Sequence, residues 1–226
     1  YVIDNVALST IFQYNMSTPY DITTAVDSGL TLNSSANEDE VQDLVISPDG
    51  TTIILFGIQA GRQLVEYSLS TPGEVDTATY VSSFVPNDGN ADTKLAVNAL
   101  GTYLYIQDGS AVAAHTMSTG WDLSTLVEDP TLSGTISSQT VGIAMHPNGS
   151  RGYTIDSSDV ISSWSLSTDW DWGNRSALDT IDLSLTVDTG LTGLDFDDTG
   201  TTLLTTSNTG SNPTYQLQLA IPYKTR

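Results

Sequence analysis

The sequence predicts an all-β protein, a β-propeller whose four-stranded blades are about 50 residues long. Two sequence landmarks recur along the chain with matching periods. The segments between them alternate apolar and polar side chains, which is typical of strands. A repeat of this length with four short strands is the pattern of a propeller blade, and the first strand of such a blade lines the central channel.

The first landmark is a short apolar run that ends at a turn glycine. Its first copy closes on the turn Ser47-Pro48-Asp49-Gly50, which supplies the positive φ that a tight reversal needs. The closing glycines recur at intervals of about 50 residues, at Gly50, Gly101, Gly149 and Gly200. We therefore expect inner strands near Leu44, Leu95, Ile143 and Leu194.

The second landmark is an aromatic residue or histidine, then a hydrophobe two positions later, then Ser-Thr. Its copies begin at Tyr14, Tyr67, His115 and Trp164, and a degraded fifth copy begins at Tyr215. Around the second copy, Val65, Tyr67 and Leu69 alternate with polar residues, which predicts a third strand. A fourth strand is predicted beyond the Ser-Thr turn, at residues 80–84.

One domain is expected over residues 1–226, with approximate units 1–37, 38–88, 89–136, 137–187 and 188–226. Tyr1 aligns with Tyr105 and Tyr153, so the first unit is expected to begin inside a second strand. The last unit is expected to end after a third strand, which leaves three complete units and two partial ones. The pattern predicts about five blades, or part of a larger ring, and open sheet edges should be paired by other backbone. We therefore expect a larger assembly or a longer polypeptide.

Charge and composition exclude several classes of partner. Asp and Glu total 27 against 6 Lys and Arg, a formal net charge of −21. Nucleic acid is therefore not an expected partner, because phosphate binding needs clustered basic residues. No apolar run approaches the roughly 20 residues of a membrane-spanning helix, so no membrane insertion is expected. The chain has no cysteine, which excludes disulfides and thiolate chemistry.

A longer phrase at the predicted outer turns carries a family resemblance. It reads Ser-Thr-Pro, an aromatic residue, Asp, an aliphatic residue, Ser or Thr, and Thr at residues 17–24. Related phrases stand at residues 70–77, 118–125 and, in part, 167–172. Together with the Ser-Pro-Asp-Gly turn, these resemble the propeller repeats of marine phage structural and tail-fibre proteins and of secreted marine bacterial proteins. The resemblance implies an extracellular or virion-surface, non-enzymatic structural or adhesion role, in contact with a host, a glycan or other subunits.

Aromatic residues recur inside this phrase. One interpretation is that each packs over the edge of its own blade. The other is stacking on sugars, because a flat ring suits the C–H face of a pyranose. The glycan-stacking candidates are Tyr20, Trp121, Trp170 and Trp172.

Acidic residues recur just before the predicted inner strands, near the expected channel mouth. Carboxylate oxygens are ligands that Ca²⁺ prefers, so a partial ring of carboxylates predicts a possible calcium site. The candidate ligands are Asp39, Asp88, Asp92 and Asp188.

Nothing in the sequence predicts a catalytic centre. His115 occupies the slot of Tyr14 and Tyr67, so we expect it to be packed, whereas His146 stands beside the turn residue Pro147 and is expected to be exposed. No histidine pair has zinc-ligand spacing and no nucleophile elbow is present. Two alternatives remain open: a metal-dependent lactonase- or lyase-like propeller enzyme with its site at the channel mouth, and a purely structural lattice or fibre subunit.

Overall fold

The computed structural model describes residues 1–4, 9–58, 62–87, 93–136, 140–183, 190–196, 202–207 and 214–218. These residues form five small antiparallel sheets in a ring, a five-bladed β-propeller, which confirms the predicted fold class. The helical elements of the described residues are four 3-10 helices of three residues each: Ile22–Thr24, Val75–Thr77, Leu123–Thr125 and Trp172–Asn174. No helix in these ranges is both long enough and apolar enough to cross a bilayer.

Each blade is a sheet whose strands pair in chain order. Blade 1 contains β1 (Val2–Asp4), β2 (Thr10–Met16) and β3 (Ala25–Asn33). Blade 2 contains β4 (Val41–Ile46), β5 (Thr52–Gly57), β6 (Gln63–Leu69) and β7 (Ala78–Phe84). Blade 3 contains β8 (Thr93–Val97), β9 (Tyr103–Asp108), β10 (Ala111–Met117) and an outer strand divided into β11 (Leu126–Glu128) and β12 (Gly134–Thr135). Blade 4 contains β13 (Thr140–Met145), β14 (Arg151–Asp156), β15 (Val160–Leu166) and β16 (Arg175–Asp182). Blade 5 contains β17 (Asp195–Phe196), β18 (Thr202–Thr206) and β19 (Thr214–Gln218).

The hydrophobic core lies between neighbouring blades. Successive strand residues point to opposite faces of a sheet, so each central blade contributes to two cores. Ile53 packs toward blade 1, whereas Ile54, the next residue of β5, packs toward blade 3. Both side chains are fully buried. The continuous apolar runs of the second strands are therefore a consequence of burial on both faces.

The predicted inner strands are confirmed. Leu44, Leu95 and Ile143 lie in β4, β8 and β13, and β17 begins one residue after Leu194. In blade 1, β1 takes the place of a second strand because it pairs with β2 and through it with β3.

The fifth copy of the second landmark lies two residues later than the sequence predicts. In β18 and β19, Leu203 pairs with Leu217, as Ile53 pairs with Tyr67 in blade 2. The aromatic slot is therefore held by Leu217, not by Tyr215. A shift of two residues keeps every side chain on its own face of the sheet, so alternation alone does not reveal it.

The ring is closed by a hydrogen bond that is repeated between blades. A polar side chain on the third strand of one blade accepts from the backbone N–H that opens the 3-10 helix of the next blade. The three bonds are Val75 N to Gln13 Oε1 (3.1 Å), Leu123 N to Glu66 Oε2 (2.9 Å) and Ile22 N to Gln216 Oε1 (3.0 Å). We call Gln13, Glu66 and Gln216 the latch residues. The last bond joins blade 5 to blade 1.

The antiparallel order places alternate connections on opposite faces of the ring. The turns after the first strands and after the third strands share one face. We call it the aromatic-turn face; it comprises residues 17–24, 47–51, 71–77, 98–102, 118–125, 146–150 and 167–174. The described turns after the second strands, at 109–110 and 157–159, and the segment 34–40 that leads into β4 lie on the opposite face.

Candidate functional site

The aromatic-turn face carries a repeated backbone feature. Tyr20, Trp121 and Trp170 have φ values of 59°, 62° and 65°, and Gly73 has 77° at the equivalent position of blade 2. This left-handed conformation is natural for glycine and uncommon for bulky side chains. The turn is held in part by the Asp at the start of the 3-10 helix, such as Asp122, whose carboxylate accepts from Ser124 N at 3.0 Å.

The tryptophans of this face rest on the turn glycines of their own blades. A Cβ on Gly101 would overlap the indole of Trp121, and a Cβ on Gly149 would overlap that of Trp170. The backbone reinforces this contact, because Trp170 N donates to Gly149 O at 2.9 Å. Close packing over the blade edge, one of the two interpretations considered above, is therefore present for both residues.

The rings also have separate surroundings. Trp170 stacks on Tyr103 of blade 3, with centroids 5.7 Å apart and planes inclined by 9°. Trp121 donates its indole N–H to Ala99 O at 3.2 Å, near Leu100, which is 74% exposed. Both tryptophans are half-buried, as is Tyr20. Each of the three residues therefore keeps part of its surface in solvent on one face of the propeller.

Trp172 does not belong with this set. Its side chain is 0% exposed and lies in the core between blades 3 and 4. It opens the 3-10 helix of blade 4, where Val75 and Leu123 stand in blades 2 and 3. The expectation that Trp172 stacks on glycan is therefore wrong, because a fully buried indole presents no ring face to a sugar.

Of the four predicted calcium ligands, one lies among the described residues. Asp39 is exposed on the face opposite the aromatic turns. Asp88, Asp92 and Asp188 lie outside the described residues. Within the ranges that the structure describes, no group of three His, Cys, Asp or Glu side chains is placed to hold a metal ion.

The two histidines have different environments. His115 is 1% exposed and packs edge-to-face against Phe84 of blade 2, with centroids 6.0 Å apart, so the predicted packing is confirmed. Burial lowers the pKa of His115, and Glu128 opposes that shift. His146 is half-buried rather than exposed, and its Nδ1 accepts from Asn148 N at 3.2 Å. This histidine stabilises its own turn.

Sequence reasoning missed a polar contact between inner strands. Asp43 accepts from Leu95 N at 2.8 Å, and Lys94 donates to Gln42 O at 2.9 Å, which joins β4 to β8. Burial raises the pKa of the Asp43 carboxyl, while Lys94 lowers it. Asp43 and Lys94 stand at equivalent repeat positions, so opposite charges in adjacent repeats were the available signal. Both side chains are occupied in joining the strands.

Comparisons with known proteins bear on the fold. No family model matches the chain, and no curated protein matches it. Among solved structures, a protein of unknown function from Desulfotomaculum acetoxidans DSM 771 is 14% identical with a TM-score of 0.54; the match covers 88% of this chain and 56% of that one. This chain thus spans little more than half of that protein.

Two further solved structures are similar over most of this chain. A chain of a nidogen/laminin complex is 15% identical with a TM-score of 0.57, and the match covers 96% of this chain and 74% of that one. A protein from Bacteroides fragilis NCTC 9343, provisionally assigned as a 6-phosphogluconolactonase, is 13% identical with a TM-score of 0.54; the match covers 95% and 67%. At these identities the similarity is one of fold.

Proposed function

We propose that this chain is a non-enzymatic propeller of a virion or cell surface whose aromatic-turn face contacts glycan. The observation that carries the proposal is the recurrence of Tyr20, Trp121 and Trp170 at one left-handed position on one face, where each residue is only half-buried. The recurrence of aromatic residues on one face suits a ligand with repeated sugar units.

Backbone energetics support this choice of site. A left-handed conformation costs a residue with a side chain about 1–2 kcal/mol, and glycine takes it freely. Gly73 shows that the turn forms with glycine. Packing on Gly101 and Gly149 offsets part of the cost for the tryptophans. Strained positions of this kind cluster at binding sites, and an aromatic ring there adds a flat apolar surface.

The test is a glycan array probed with the wild-type chain and with the triple variant Tyr20→Gly, Trp121→Gly, Trp170→Gly. Glycine is the residue that blade 2 already uses, so the turns should keep their shape. We expect the triple variant to lose at least about tenfold in affinity, a change worth about 1.4 kcal/mol.

The matched control is Tyr80→Thr, which removes a 45% exposed ring from β7, away from the aromatic turns. It should leave binding unchanged. A wild-type chain that binds no glycan, or a triple variant that binds as well as wild type, would overturn the proposal.

Contact with other structural subunits is the second part of the proposal. In the described part of the chain β1 pairs on one side only, with β2. An open main-chain edge accepts an extended segment of another subunit by strand addition. The test is the mass of the chain in solution, together with hydrogen exchange of the β1 amides. A monomer in which these amides resist exchange would contradict subunit contact through this edge.

The absence of catalysis is also part of the proposal. The propeller from Bacteroides fragilis carries a provisional lactonase assignment, and lactonase activity was one of the alternatives for this chain. Hydrolysis of sugar lactones should be monitored by acid release with and without divalent metals. We expect no turnover above the spontaneous rate, and turnover that follows the protein concentration would contradict the non-enzymatic role.

A further inference from the structure

Blade 4 departs from the other blades at two neighbouring positions near the aromatic-turn face. Where blades 1, 2 and 3 have Ile22, Val75 and Leu123, blade 4 has Trp172; where they have Ala25, Ala78 and Leu126, it has Arg175. The preceding blade departs as well, because Ala114 stands where Gln13 and Glu66 serve as latch residues. Correlated departures from a repeat mark places whose surroundings differ from those of the other blades, and functional sites are among such places.

The outer strand of blade 3 is shaped around these two residues. It is interrupted between Glu128 and Gly134, and the intervening segment 129–133 lies against blade 4. Gly173 N donates to Leu132 O at 3.1 Å, which fixes that segment beside the 3-10 helix. A Cβ on Gly134 would overlap Nη1 of Arg175, so the segment approaches as closely as a glycine permits.

Two hydrogen-bond donors in this place have no acceptor. Trp172 Nε1 and Arg175 Nε are buried without a partner. The indole N–H groups of Trp121 and Trp164, by contrast, are bonded to Ala99 O and Thr154 Oγ1. A buried donor without an acceptor costs about 1–3 kcal/mol, which two such groups in one place would incur twice.

The arginine adds a positive charge to these donors. Its Nη1 donates to Trp172 O at 3.1 Å, and its guanidinium lies 5.6 Å from the centre of the Trp164 ring. Burial lowers the pKa of Arg175, and no nearby carboxylate is among the causes of its shift. No carboxylate among the described residues pairs with this guanidinium.

We propose that Trp172 and Arg175 form an anion site that takes the carboxylate or sulfate group of an acidic glycan. The oxyanion accepts from Trp172 Nε1 and from the guanidinium, which supplies the two absent hydrogen bonds and neutralises the charge. Trp172 Nε1 and Arg175 Nε are both buried in this conformation. The anion therefore enters when segment 129–134 shifts outward. This inference rests on the proposed glycan-binding function and names its ligand class.

The site lies next to one of the stacking candidates. Trp170 precedes Trp172 by two residues, in the same turn of blade 4. A sugar on Trp170 therefore has Arg175 within the same blade interface. The net charge of the chain repels anions at long range, so recognition depends on this local contact and on screening by salt.

The experiment compares binding of oligogalacturonate, a sulfated oligosaccharide and a neutral oligosaccharide, at an ionic strength of about 0.15 M. The variants are Trp172→Phe, which removes the N–H and keeps a ring, and Arg175→Lys, which keeps the charge and removes the planar donors. We expect each variant to bind the acidic ligands roughly tenfold more weakly and the neutral ligand unchanged. Arg151→Lys, on the same blade, is the matched control and should behave as wild type. The uronate and sulfate arms show which oxyanion is preferred.

A parallel titration with monomeric galacturonate and with sodium sulfate, followed by tryptophan fluorescence, tests the anion site without an oligosaccharide. Glycan binding with no preference for acidic ligands, or with no loss in either variant, overturns the anion site and leaves the proposed function standing. No binding of any oligosaccharide overturns the proposed function. If no oligosaccharide binds, the monomeric anions still test the site. Equal fluorescence changes for wild type and Arg175→Lys would overturn the anion site as well. A fluorescence change that wild type shows and Arg175→Lys lacks would support it.

Discussion

Two blade interfaces built from the same repeat are held together in different ways. Between blades 2 and 3, the buried carboxylate of Glu66 accepts from Leu123 N at 2.9 Å and from Ser82 Oγ at 3.0 Å. Between blades 3 and 4, the corresponding residues are Ala114 and Trp172, and the contact is apolar. At this position one interface uses a directional bond and the other uses side-chain volume, although blades 3 and 4 are joined elsewhere by hydrogen bonds such as Gly173 N to Leu132 O.

The apolar interface required compensating changes in both sheets. Trp172 and Ala114 lie in the same buried cluster, and a Cβ on Gly152 would overlap the six-membered ring of the indole. Small residues at these two positions are therefore part of the same solution. The comparison teaches that the repeat specifies where blades meet, while the means of joining them changes with side-chain volume.

Truncating the apolar interface should have the largest effect on stability. Trp172→Ala removes a fully buried indole, and loss of a buried aromatic side chain costs about 3–5 kcal/mol. We expect the free energy of unfolding, measured by urea titration, to fall by that amount. A loss below about 1.5 kcal/mol would show that this interface does not depend on the Trp172 side chain.

Two variants of Glu66 should separate the effect of its charge on stability from the effect of its hydrogen bonds. Glu66→Ala leaves Leu123 N–H and Ser82 Oγ without their partner and should cost about 1–3 kcal/mol in the same assay. Glu66→Gln should change stability by less than about 0.5 kcal/mol, because Gln13 and Gln216 make the equivalent bond as amides. Equal losses in the two variants would mean that the carboxylate charge, rather than the acceptor, matters.

These interfaces also show what the sequence predicts and what it does not. Alternation and recurring turn glycines predicted the blades and inner strands, because a strand's period and a turn's backbone are local properties. The burial of Trp172 and the role of Glu66 depend on the neighbouring blade, so a local phrase does not reveal them. Trp170 and Trp172 stand two residues apart in the same phrase and end on the surface and in the core. Of the candidate site, the sequence indicated the three turn aromatics but not Arg175.

The histidine at the polar interface should make stability depend on pH. Burial lowers the folded-state pKa of His115, so between that value and the unfolded value of about 6.5 the unfolded chain binds more protons. The contribution of neutral His115 to the free energy of unfolding is therefore fully present above a pH of about 6.5 and is lost as the pH drops through this window. Blade 5 already has a leucine, Leu217, at the position equivalent to His115. The free energy of unfolding of His115→Leu should therefore depend less steeply on pH. An unchanged slope would contradict the assignment.

The smallest effect should come from salt, which acts on all interfaces alike. At a net charge of −21, raising sodium chloride to about 0.15 M screens self-repulsion and should raise the melting temperature. A flat or falling melting temperature would contradict this. Calcium chloride at matched ionic strength should give a further rise if the predicted carboxylate site at Asp39 exists, and no further rise would remove that expectation.

The outer strands have a consequence for how the protein behaves in acid. A bulge between the third and outer strands interrupts the ladder in blades 1, 2 and 4. Several outer strands also carry carboxylates, including Asp27, Glu128, Asp179 and Asp182. Such edges repel one another at neutral pH, which guards against edge-to-edge aggregation. Near the isoelectric point of about 4.1 that repulsion vanishes, and concentrated solutions should become turbid through lateral pairing of blades.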